Sequence, residues 1–178
     1  MLKRIFLTIL SIFFITTAQA KSGVNIFTYP RNVPDAKIFN KHGQSFHLRD
    51  FSGDFLIVIF WSKTCVPCIK EIDDINQFIK KTKGTGIKLI TVSPEKEWIS
   101  PEEQAAFLRK YGGENIDFYS DRKSALSNSF GIFTSPHTVL IDKNSMEIGR
   151  IRGSVDWDDD DVIEYIYNLI VIYLQNAY

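Results

Sequence analysis

Seven apolar residues in succession, Phe55-Leu56-Ile57-Val58-Ile59-Phe60-Trp61, run through the turn Ser62-Lys63-Thr64 into Cys65-Val66-Pro67-Cys68. A run that does not alternate cannot be a strand with one wet face, so it reads as a central strand buried on both sides. Beyond it Ile69, Ile72, Ile75 and Ile79 recur at steps of three and four, one apolar stripe on a helix that continues through Lys83 and ends at Gly84 and Gly86. The cysteines therefore stand at a strand-to-helix junction. Two thiols spaced in this way can close into a small disulfide ring, and the charge of roughly +0.5 at a helix N-terminus favours a thiolate. The pair is read as a redox site, with Cys65, nearer the helix start, as the nucleophile.

The rest of the chain supplies a sheet around that strand. Apolar-polar alternation from Lys37 to Leu48 about the turn cluster Asn40-Lys41-His42-Gly43 predicts a hairpin. Ile87 to Val92 is a second strand. Ser100-Pro101-Glu102-Glu103 starts a helix, with a hydroxyl cap, proline in the first turn and Glu103 placed for a capping box, and Gly112-Gly113 end it. Ile116 to Tyr119 reads as a short strand and Ser124 to Phe130 as a short helix. Thr138 to Asp142 and Glu147 to Arg152 form a hairpin turned at Lys143-Asn144. Asp158 to Asp161 precede a last apolar-periodic segment and are read as acids at a helix N-terminus rather than a metal site, since no histidine or cysteine lies near them.

The first twenty residues differ from all of this. Lys3 and Arg4 are followed by an almost wholly apolar stretch from Ile5 to Ile15 and by Ala18-Gln19-Ala20, the pattern of a cleaved export signal. Such a stretch falls short of the ~20 residues that span a bilayer, so an uncleaved anchor is the lesser reading. The expected organisation is a signal peptide at 1–20, a loosely packed linker at 21–33 containing Pro30, and one domain at 34–178. The chain has 178 residues, 44% of them hydrophobic, with 21 basic and 21 acidic side chains; cleavage removes Lys3 and Arg4 and leaves a net charge of −2. No basic tract or aromatic-basic stripe marks a nucleic-acid partner. Two cysteines make no disulfide framework, and they supply half the ligands of a structural zinc, so neither a stapled domain nor a metal site is expected.

The segment from Phe60 to Glu71 resembles the active-site segment of exported TlpA/ResA-like thiol-disulfide oxidoreductases of the thioredoxin superfamily. The resemblance extends over roughly residues 34 to 175, through Leu48-Arg49-Asp50-Phe51-Ser52-Gly53, the helix and strand between 101 and 119, the Ser135-Pro136 step, and Gly153-Ser154-Val155-Asp156-Trp157. It implies an α/β thioredoxin-like fold, a mixed sheet flanked by helices, with an N-terminal hairpin and a central helix-strand insertion. It further implies that Pro136 is cis and lies beside the disulfide, where Ser135 main-chain groups pair with an extended substrate, and that Trp61 covers the disulfide. Glu71, three residues past Cys68, matches a glutamate that serves such proteins as general base. Thioredoxins instead have an aspartate six residues before the first cysteine, where this chain has Ile59.

The resemblance implies thiol-disulfide exchange with no cofactor and no metal: Cys65 attacks a partner disulfide and Cys68, assisted by Glu71, resolves the mixed disulfide. The expected partners are cysteine-containing extracytoplasmic proteins, reduced in cytochrome c maturation or oxidase copper-site assembly, and a membrane thiol electron donor. A dithiol oxidase is the runner-up, but such oxidases carry a histidine within the motif and a large helical insertion. A copper carrier would use Cys65, Cys68 and His137. A peroxidase of this fold would need a threonine two residues ahead of its reactive cysteine and a proline further upstream, whereas Lys63 stands there and no proline lies between Pro34 and Pro67.

Overall fold

The structure, a computed structural model, describes residues 23–175, so the expected signal peptide lies outside the described residues. Strand β4 (Phe55–Phe60) is buried at all six positions, as a strand with two covered faces must be. Phe55, Ile57 and Ile59 belong to one core with Ile72, Ile75, Phe78, Trp157, Ile166 and Leu169. Leu56, Val58 and Phe60 belong to a second with Ile38, Leu48, Leu126 and Phe130. Successive side chains of one strand thus feed the cores on opposite faces of the sheet.

Around β4 the sheet has eight strands in the order β1-β8-β7-β4-β5-β6-β2-β3: β1 Gly23–Asn32, β2 Ile38–Phe39, β3 Ser45–Phe46, β5 Ile87–Pro94, β6 Asp117–Asp121, β7 His137–Ile141 and β8 Met146–Arg152. Strands β4, β5 and β6 are parallel, while β7 and β8 continue antiparallel from the other side of β4. The expected N-terminal hairpin is β2–β3, whose turn is closed by Asn40 Oδ1 accepting from the His42 and Gln44 amides. It adds to the sheet through Phe39 beside Ser120.

Helix α2 (Ile72–Lys81) buries Ile72 and Ile75 of the expected stripe, while Ile69 and Ile79 are partly buried and Phe78, outside that stripe, is fully buried. The helix behind the cysteines is broken, however: α1 (Val66–Lys70) and α2 are separated at Glu71, and the helix stops at Lys81. Helix α3 (Pro101–Lys110) starts as its sequence indicates, with Ser100 Oγ accepting the Glu103 amide at 3.3 Å. The Glu103 carboxylate bonds the Ile99 amide, one residue ahead of the cap, at 2.6 Å. Helix α4 (Ala125–Phe130) and helix α5 (Asp160–Gln175) complete the fold. The acid run acts as a helix start: Asp159 caps the Asp161 amide, and Lys81 pairs with Asp158 and Asp160. No described helix is long and apolar enough to cross a membrane.

The expected linker is a correction. Residues 23–32 are strand β1, paired antiparallel with β8 from Gly23 opposite Arg152 to Asn32 opposite Met146. The register shifts between Ile26 and Arg31, and Pro30 falls within that irregular stretch. An edge strand has one row of amides free of the ladder, so a proline is tolerated there and the outer face need not be apolar. Only Phe27 is buried along β1, which is why the segment shows no strand period.

Candidate redox site

The chain leaves β4 with the Trp61 amide bonded to the Val92 carbonyl at 3.0 Å, so the turn that follows emerges at the C-terminal end of the parallel strands. Cys65 and Cys68 form a disulfide across that turn, with Cα atoms 5.3 Å apart. Cys68 is 2% exposed, while Cys65 is only half-buried. An incoming group therefore meets Cys65 first. The Cys68 amide donates to Cys65 Sγ at 3.2 Å, a contact that would also stabilise a thiolate.

Ser135-Pro136 is a cis peptide, and the Ser135 carbonyl oxygen lies 3.4 Å from Cys65 Sγ. Pro136 is buried and its carbonyl accepts the Gly153 amide at 3.1 Å. The distant segments 135–136 and 153–157 are thus brought to the disulfide together. Trp61 is buried in the same core cluster as Cys68, with Cys65 packed against it. Its ring lies tilted against those of Trp98 and Phe107, with centroids 5.6 and 6.0 Å away.

Glu71 sits at the break between α1 and α2 and is 5% exposed. Its Oε1 accepts the Val155 amide at 2.5 Å. Burial raises its pKa to about 7, against the opposing effects of the Val155 amide and the Ser154 hydroxyl; Asp74 adds a smaller upward push. The carboxyl borders an open groove of about 420 Å³ that Val66 and Pro67 also line. A carboxyl of this kind exchanges protons near neutral pH, as a general acid or base must. His137, next to the cis-proline, is 4% exposed, and burial followed by the Arg150 and Arg152 charges lowers its pKa to about 4. Among the described residues no three His, Cys, Asp or Glu side chains are grouped to hold a metal, so Cys65, Cys68 and His137 are not assembled as a copper site.

A second carboxylate at the site was not legible in the sequence. Glu97, in the loop after β5, accepts Ser62 Oγ on one oxygen at 2.9 Å and the Lys63 amide on the other at 3.0 Å. Lys63 Nζ reaches Glu103 at 3.3 Å and lies 4.9 Å from the Trp98 ring centre. The loop and helix of the insertion thereby grip the turn before Cys65. Nothing in Glu95-Lys96-Glu97-Trp98 distinguishes Glu97 from an ordinary solvated acid, because its partners are 34 and 35 positions away.

A thioredoxin-like fold with one half-exposed Cys-x-x-Cys disulfide at a strand-to-helix junction, beside a cis-proline, defines an oxidoreductase. The AhpC/TSA family model matches residues 30–150, and the chain belongs to that family. It is similar to thiol-disulfide oxidoreductase ResA of Bacillus thuringiensis subsp. konkukian, 25% identical over 123 residues that cover 69% of each chain. Against ResA of Geobacillus kaustophilus it is 26% identical over 126 residues, covering 71% of this chain and 70% of that one. Among solved structures, a thiol:disulfide interchange protein from Bacteroides sp. superposes with a TM-score of 0.65 at 20% identity, over 80% of this chain and 90% of the other. A thioredoxin family protein from Chlorobium tepidum, also a thiol:disulfide interchange protein, gives 0.61 at 20% identity over 78% and 97%.

Proposed function

We propose that the protein is an extracytoplasmic thiol-disulfide oxidoreductase that reduces disulfides of cysteine-containing partner proteins. The observation that carries this reading is the asymmetry of the pair: Cys65 is half-exposed beside the cis Ser135-Pro136 step, and Cys68 is buried. In the dithiol protein the Cys65 thiolate attacks one sulfur of the partner disulfide. The partner S–S bond breaks, a mixed disulfide forms, and the first partner thiolate leaves. Cys68, having given its proton toward Glu71, then attacks Cys65 Sγ and expels the second partner thiolate. The partner gains two electrons, the protein ends as the Cys65-Cys68 disulfide, and each released thiolate is protonated from solvent or through Glu71. Ser135 and Pro136 hold the extended partner backbone, Trp61 covers the disulfide, and a membrane thiol donor restores the dithiol.

Similarity to proteins named ResA supports the reading, as does the N-terminal pattern of residues 1–20 for export. The deciding experiment is the equilibrium reduction potential of the Cys65-Cys68 couple. A value at or below about −200 mV supports a reductant, while one near −120 mV makes the protein a disulfide-introducing oxidase.

A further inference from the structure

Besides the groove that Glu71 borders, a groove of about 280 Å³ is lined by Ser62 and Ser135 near Cys65 and by Ser127 and Asn128 of α4. Pro94, Ile132 and Phe133 are among its apolar lining residues, and Phe133 is 83% exposed. Its charged lining is acidic throughout, the half-buried Glu97 and the buried Asp121, with no lysine or arginine. Asp121 is spent on the fold, since its oxygens accept the Leu126 and Ser127 amides and Ser127 Oγ. Glu97 is half-buried and accepts one bond per oxygen, and a carboxylate has about four acceptor positions, so it retains capacity for another donor. Nearby cations are directed elsewhere: Lys63 to Glu103 and the Trp98 ring, Arg122 to Glu95 and the Phe39 ring. Lys123 is exposed and does not line the groove.

We propose that this groove is a subsite for a basic side chain, arginine or lysine, flanking the reactive cysteine of the partner. The match is in charge and in shape. Such a side chain lays an apolar stem along Pro94 and Ile132 and places its cationic head at Glu97, and a guanidinium can also stack on the exposed Phe133 ring. Because the groove is lined by Ser135, whose carbonyl is 3.4 Å from Cys65 Sγ, a residue beside the partner cysteine is the one within reach. The inference rests on the thiol-disulfide exchange reading above and specifies what that site selects.

The test uses three peptides closed by one disulfide, identical except for arginine, citrulline or glutamate next to a cysteine. Each is reduced by excess dithiol protein in a single turnover, and release of peptide thiol is followed. The arginine peptide is expected to react about three- to fivefold faster than the citrulline peptide, as for a partly exposed ion pair, with glutamate slowest. The difference should shrink as salt is raised from low concentration. In Glu97→Gln the arginine-to-citrulline ratio should approach one, and the salt series on wild-type protein gives an answer that does not depend on that variant folding. Equal rates for all three peptides, or a ratio indifferent to salt, overturn the subsite and leave exchange standing. Reduction of none of them overturns the exchange reading itself, and the subsite with it.

Discussion

The Glu71 carboxylate and the Val155 amide, 84 positions apart in sequence, are joined by a hydrogen bond of 2.5 Å. That bond ties the break between α1 and α2 to the loop before α5, and the same loop holds Pro136 through the Gly153 amide. A buried carboxyl that stabilises the site through its hydrogen bond also destabilises the fold when it ionises. Its folded pKa is raised to about 7 from 4.5, so the unfolded chain loses its proton first. Stability from this group is therefore lost as pH rises from 4.5 to 7, by roughly 2–3 kcal/mol. Glu71→Gln keeps an oxygen for the Val155 amide and cannot ionise. Urea unfolding should find it more stable than wild type at pH 8 and little different at pH 4; equal stability at pH 8 would show that burial does not raise the pKa of the carboxyl.

His137 works in the opposite direction over nearly the same range. Its folded pKa is lowered to about 4 from 6.5, so the unfolded chain takes up a proton that the folded one refuses. Its contribution is complete above pH 6.5 and is lost as pH falls through 6.5 to 4. In wild-type protein the two slopes offset one another. His137→Gln should uncover the Glu71 slope and become relatively more stable on acidification from pH 7 to 4.5, whereas Glu71→Gln should become less stable over that range. Parallel stability-pH profiles for the two variants would contradict both assignments.

Burial separates the roles of the two cysteines. With Cys68 at 2% exposure and Cys65 half-exposed, only Cys65 can meet a partner sulfur. Cys65→Ser should abolish reduction of disulfide substrates. Cys68→Ser should stop after the first exchange and accumulate a mixed disulfide that is released by dithiothreitol on a non-reducing gel. A covalent adduct formed by Cys65→Ser through Cys68 would reverse the assignment.

Glu97 restrains the turn that delivers Cys65, through Ser62 Oγ and the Lys63 amide. Glu97→Ala leaves a part-buried amide and hydroxyl without their acceptor and should destabilise the fold by about 1–3 kcal/mol. It should also broaden the amide resonances of residues 62–65 in NMR spectra, while Glu97→Gln, which can still accept the Lys63 amide, restores most of the stability. Sharp, unshifted resonances at 62–65 in the alanine variant would show that the turn holds itself.

What the sequence disclosed and what it hid follow from range. The double burial of β4 and the apolar period behind the cysteines are local patterns; the fold keeps the first whole and the second at Ile72 and Ile75, with the helix broken at Glu71. Glu71 carried a faint signal as well: it lies three residues after Cys68 and four before Ile75, on the buried stripe, where a carboxylate is out of place unless something bonds it. Strand β1 left no such trace, because its pairing is irregular about Pro30 and only Phe27 is buried. Glu97 left none because its role exists only once the insertion has folded over the turn.

Membership of the AhpC/TSA family raises peroxide as an oxidant, and the geometry at Cys65 argues against fast peroxide reduction. Rapid attack on an O–O bond needs donors fixed beside the sulfur to stabilise the departing hydroxide. Beside Cys65 Sγ stand the Cys68 amide and the Ser135 carbonyl, and that carbonyl can only accept. The two nearest hydroxyls in sequence, Ser62 and Thr64, are bonded to each other at 2.9 Å, and Ser62 is committed to Glu97. Any sulfenic acid formed at Cys65 would be closed by Cys68 into the disulfide, so the dithiol protein can consume one peroxide without being a peroxidase. Under pseudo-first-order peroxide, loss of thiols should proceed at the rate of an ordinary thiolate of the same pKa, and much more slowly than reduction of a peptide disulfide at equal concentration. A peroxide reaction orders of magnitude above that of a free thiolate would mean that Cys65 is supported by donors this arrangement does not provide, and would move the protein from disulfide exchange to peroxide reduction.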